Sequence, residues 1–122
     1  MATQLLEDSD LALLLDIANM ACHEGFPQEA RTIVDGVLSA KPNFVPALIT
    51  KAYSHLIVDD FTTALEILDP ILAANQEDYD ARLMQGLTFL LAQRTNEGKE
   101  AFAKIPADAH QHKLAEELAK AF

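Results

Sequence analysis

The chain has 122 residues, the size of one small domain. Nineteen Asp and Glu oppose nine Lys and Arg, a net charge of −10, while half the residues are hydrophobic. That apolar share excludes a disordered acidic tail. The acidity argues against nucleic acid and anionic membrane as partners, because both are gripped by a basic patch that releases counterions.

With 7% aromatic residues, no Trp, four Gly and five Pro, little material exists for sheet edges or glycine-rich phosphate loops, and the chain reads as all-α. Cys22 has no partner for a disulfide or a structural zinc site, which fits a reducing compartment. Residues 1–10 carry Glu7, Asp8 and Asp10 but no basic n-region, so no signal peptide is expected. Apolar runs such as residues 11–15 fall far short of the roughly 20 residues that cross a bilayer. A soluble, cytoplasmic protein is expected.

The elements follow in chain order. After an N-terminal segment of residues 1–10, the first helix opens at Asp8 or Ser9 as its cap and carries Leu11, Leu14, Leu15 and Ala18 at the 3.6-residue period. Gly25 ends it in the left-handed conformation, and Pro27 suits the first turn of the second helix. Asn43 is expected to cap the helix that contains Pro46. Asp59 or Asp60 should cap the one beginning near Phe61, and Asp78 the one from Tyr79. Pro70 removes the bond to the Glu66 carbonyl and should kink or end the fourth helix; Pro106 falls inside the sixth and should shorten it. Residues 108–122 then place Leu114, Leu118 and Phe122 at four-residue steps beside Ala115 and Ala119, a seventh helix to cover the open end.

These helices repeat every 34 residues. Ala30, Ala64 and Gly98 are one such series, and Ala18, Ala52 and Gly86 another; Val34, Leu68 and Phe102, and then Val37, Ile71 and Ile105, keep the same register. Small residues recur where two backbones approach, and bulky ones fill the space beside them. The pattern resembles the tetratricopeptide repeat, a helix pair of that length. The repeats run over residues 11–44, 45–78 and 79–106, with residues 107–122 as a capping helix, all in one domain. Pro42 matches the family's end-of-repeat proline, whereas Gln76 and His110 stand at the other two places.

The resemblance implies that the first helices of the repeats line a concave groove, through their second, fifth, ninth, twelfth and thirteenth residues. The fifth places are Leu15, Ile49 and Leu83, and the ninth are Asn19, Tyr53 and Leu87. The twelfth are Cys22, Leu56 and Leu90, and the thirteenth His23, Ile57 and Leu91, with Met84 alongside. Such a lining is too apolar for the carboxylate clamp by which related domains hold acidic chain ends. It suits the apolar face of an amphipathic helix. Part of the stripe could instead pack the helices together or be covered by the chain's own terminus.

Size, three repeats plus a final helix, acidity and apolar groove are together similar to the needle-subunit chaperones of bacterial type III secretion systems. That resemblance implies a cytoplasmic protein that wraps the amphipathic C-terminal helix of the needle subunit, prevents premature polymerisation, and takes a small helical co-chaperone on its N-terminal repeats. Those repeats hold the net negative charge: residues 1–44 and 45–78 each carry −5, and residues 79–122 carry none. A general tetratricopeptide adaptor or scaffold, a chaperone of a secreted translocator, and self-association through the groove are the competing readings.

Catalytic and metal chemistry is not expected. His110 and His112 point apart on a helix, and Cys22 and His23, as neighbours, diverge with no third group to orient the histidine. Asp59–Asp60 and Glu116–Glu117 read as a cap and a solvated face, and no phosphate-loop or nucleophile-elbow motif occurs. No cofactor, metal ligand or catalytic residue is assigned.

Overall fold

The computed structural model describes residues 7–122, so the first six residues of the expected N-terminal segment lie outside the described residues. Seven helices follow one another: α1 (Asp8–His23), α2 (Pro27–Ala40), α3 (Val45–Leu56), α4 (Phe61–Ala74), α5 (Tyr79–Leu91), α6 (Thr95–Ala103) and α7 (His112–Ala121). No strand occurs among the described residues. The all-α expectation of three helix pairs and a final helix holds.

The 34-residue step fixes the turns as well as the helices. Gly25, Asp59 and Gln93 all take positive φ, at 86°, 63° and 65°. In each turn the residue at this place donates its N–H three residues back, and its successor donates five back, as in Phe26 to Ala21, Asp60 to His55 and Arg94 to Phe89. This is the Schellman closure, which satisfies carbonyls that the helix end leaves open. Only the first of the three left-handed residues is a glycine, so two of these turns carried no composition signal. α2, α4 and α6 then start at Pro27, Phe61 and Thr95, also 34 residues apart.

Packing follows the same grid. The closest pairs are α1 with α2, α3 with α4 and α5 with α6, and each hairpin leans on the next through its second helix. The first helices also touch one another, α1 with α3 and α3 with α5, whereas the second helices do not. The stack therefore curves, with α1, α3 and α5 on the inner side; α7 meets α5 and α6 and occupies the place of a fourth first helix. All twelve residues of the repeating series at Ala18, Ala30, Val34 and Val37 are buried. A further series, Ala47, Ala81 and Ala115, seals each hairpin against the next helix with no exposed surface beyond about 1%.

In the third repeat Gly replaces Ala at both small positions, and Gly86 makes room for Phe102, which stands where the earlier repeats have Val34 and Leu68. A Cβ on Gly86 would come within 2.4 Å of the Phe102 ring, and one on Gly98 within 2.7 Å of Leu90. Between Gly86 and Phe102 the missing methyl offsets the larger ring.

Several local expectations are corrected. α1 is capped from Glu7, whose N–H donates to Asp10 Oδ2 at 2.8 Å, and neither Asp8 nor Ser9 takes that role. Asn43 does not cap α3; it adopts φ 64° and hands the cap position to Phe44. Asp60 and Asp78 do cap, accepting from the N–H of Thr63 and Ala81. α4 runs unbroken through Pro70, which is exposed, so water can reach the freed Glu66 carbonyl while Leu68, Ile71 and Leu72 hold the helix on the core. α6 stops at Ala103, leaving Pro106 in the connection, and α7 begins at His112, four residues later than Asp108.

Candidate functional site

The inner side of the curve holds a groove of about 540 Å³. Its lining obeys the repeat: Pro46, Asp80 and Leu114 are one series, Ile49 and Leu83 the next, then Thr50, Met84 and Leu118, then Asn19, Tyr53 and Leu87. Val45 and Asp78 complete it. These are the second, fifth, sixth and ninth places of the repeat, one to two turns apart on the inward face of each first helix.

Six of the residues expected in the groove are there: Asn19, Ile49, Tyr53, Leu83, Met84 and Leu87. Leu15, Leu56 and Leu90 are not, and neither is Cys22; all four are buried in the core. The twelfth place points at the second helix of its own hairpin, where it packs with Val34 and Val37 in the first repeat and with Phe102 and Ile105 in the third. Leu15 packs on the same first cluster. The thirteenth place also lies off the groove: Ile57 packs on the first cluster and Leu91 is exposed at the end of α5. Sequence reasoning missed Leu114 and Leu118 as groove residues, although their step from Asp80 and Met84 is again 34. The chain's own terminus therefore supplies one wall, although Leu114 stays 53% exposed.

Thr50 makes the polar link in the groove floor. Thr50 donates to Asn19 Oδ1 at 3.1 Å and to the Pro46 carbonyl, tying α1 to α3 beneath the lining. Burial pushes the Tyr53 phenol up from its ordinary pKa, with the neighbouring Cys22 adding to the effect. Burial likewise raises the Cys22 thiol, which Arg31 partly counters. Behind this floor, Arg31 clasps α2 to α3: its Nε donates to Ser54 Oγ and its Nη2 to the Ser54 carbonyl, both at 3.0 Å.

A second surface lies on α1. Leu13, Ile17 and Met20 form a stripe at i, i+4 and i+7 and are 59%, 45% and 64% exposed. Their counterparts on α3 are Ala47, Lys51 and Ser54, a face that α2 covers. The equivalent face of α1 carries large apolar groups, and no described helix covers it.

His112 Nδ1 lies 3.3 Å from the Ile105 carbonyl and its Nε2 3.8 Å from Glu116, while His110 is exposed. Among the described residues no group of three or more His, Cys, Asp or Glu side chains is placed to hold a metal ion. A shallow depression of about 210 Å³ between α5 and α6 contains Arg82, whose Nη1 donates to Gln85 and whose Nε is buried without a partner, beside Glu97, Glu100 and Lys104. None of the described helices is long and apolar enough to cross a membrane. No protein-family model matches the chain, and no curated protein or solved structure does either.

Proposed function

We propose that this chain is a chaperone that holds the apolar face of an amphipathic client helix in the groove of α1, α3, α5 and α7. The observation that carries the reading is the lining itself: Ile49, Tyr53, Leu83, Met84, Leu87 and Leu118 turn apolar surface toward a concavity that the fold does not fill. Recognition by anchors at helical spacing fits that shape.

The client is the needle subunit of a bacterial type III secretion system, and the complex resides in the cytoplasm. The groove covers the helix face through which such a subunit polymerises, lowering the assembly-competent concentration without catalysis. The open stripe of Leu13, Ile17 and Met20 supports a second partner, a small helical co-chaperone that packs on α1 as α2 packs on α3.

Replacing Leu87 with Glu puts a charge in the middle of the lining without touching the core. Client capture in pull-down and anisotropy should fall at least about a hundredfold, while circular dichroism keeps its helical signal. Unchanged affinity would remove the groove from the reading.

A further inference from the structure

The groove has a sign as well as an apolar lining. Among the described residues its only charged lining groups are Asp78 and Asp80, both at the start of α5, and no Lys, Arg or His lines it. Each carboxylate is engaged through one oxygen: Asp78 Oδ1 accepts from the Ala81 N–H at 3.1 Å, and Asp80 Oδ1 accepts from Gln111 Nε2 at 2.8 Å. Among the described residues neither meets a cationic side chain within ion-pair distance. Two carboxylates beside apolar walls, in a chain of net charge −10, give this edge of the groove a negative potential that the N-terminus of α5 offsets only in part.

From this complementarity, and resting on the helix-holding reading above, we infer that the groove's occupant is an amphipathic helix with a Lys or Arg in one terminal turn. That residue lies against Asp78 and Asp80 while the apolar anchors lie along Ile49, Tyr53, Leu83 and Leu87. The basic residue fixes direction and register on a lining whose repeated Leu and Ile would otherwise accept several. The helix comes from another protein. Among the described residues the other open apolar helix face is the stripe on α1, which is flanked by Asp10, Asp16 and Glu24 and would bring acid to acid.

The test uses the full chain and synthetic helical peptides of about 18 residues with one Leu face. A terminal turn carries a Lys pair, a Gln pair or a Glu pair, and each pair is placed at either end in separate peptides. Affinity is read by fluorescence anisotropy at about 0.05 M and about 0.5 M salt. At low salt the Lys peptide should bind at least about fivefold tighter than the Gln peptide, the Glu peptide should be weakest, and one end should be preferred. High salt should compress the order. So should D78N combined with D80N, changes that keep the cap and the Gln111 acceptor and whose folding is checked by circular dichroism. Equal binding of all peptides, or an order that survives the double variant, overturns this inference and leaves the groove reading standing. Failure of every peptide to bind sinks both. A concentration-dependent dimer that the Lys peptide does not dissociate places a second copy in the groove and overturns the inference.

Discussion

Gly36 and Gly86 are both interior helix glycines, yet replacing them with Ala should change stability in opposite directions. Gly36 is exposed and a Cβ there meets nothing within 4 Å, so Gly36→Ala should stabilise by about 0.5–1 kcal/mol through helix propensity and unfolded-state entropy. Gly86→Ala drives a methyl into the Phe102 ring, which is buried and cannot swing away, and should cost about 1–3 kcal/mol. Urea unfolding of both, and of Gly86→Ala with Phe102→Leu, checks the point. The second substitution should restore most of the loss, since Ala52 and Leu68 already coexist one repeat earlier. The sequence displayed the series but not its reason, because only the contact between α5 and α6 makes Gly86 and Phe102 one packing unit.

At the scale of the element, the 34-residue grid outlines all three hairpins, but their ends obey local hydrogen bonding that composition hides. Asp59 and Gln93 close their turns in the left-handed region as Gly25 does, so the shared geometry comes from the two reverse hydrogen bonds and not from a glycine. Pro70 shows the converse, since tertiary burial on both sides of an exposed proline overrides its local tendency to stop a helix.

Asp60 supplies a pH test of capping. The Thr63 side chain first, and then the Thr63 N–H and His55 Nδ1 at 3.2 Å, hold its carboxyl below the ordinary carboxylate range. A carboxyl with a lower pKa in the folded than in the unfolded chain stabilises fully at neutral pH. That contribution is lost as pH falls through the folded value. Asp60→Ala should therefore melt earlier than the parent at pH 7, with the difference shrinking between about pH 4 and pH 2 in thermal scans. A difference that stayed constant across that range would assign the cap's effect to something other than the carboxylate charge.

For the whole molecule, the two ends of the stack are unequal. α1 buries Leu11, Leu15, Ala18 and Cys22, whereas α7 buries Ala115 alone and meets only α5 and α6. Amides of α7 should exchange with deuterium at least about tenfold faster than those of α3 and α4, and faster than those of α1. Since Leu114 and Leu118 form one wall of the groove, a Leu-faced peptide that fills it should slow exchange in α7 more than in α2, which has no part in the lining. Uniform protection across all seven helices would make α7 a rigid member of the stack.

The candidate site divides by the same physics. Asn19, Ile49, Tyr53, Leu83, Met84 and Leu87 were legible because a fixed step repeats the inward face of each first helix. Leu15, Leu56 and Leu90 were misplaced because periodicity marks an apolar residue without saying which neighbour covers it.

The sequence alone determined seven helices on a 34-residue step, small residues where backbones meet, and an excess of apolar groups over acid, because these depend on local spacing and side-chain volume. Only the tertiary structure decided that the twelfth place belongs to the core, that α7 closes one side of the groove, and that Asp78 and Asp80 share that groove with leucines. The reason is geometric: each helix has one inward face and several neighbours, and which neighbour covers a residue is set by the curvature of the stack.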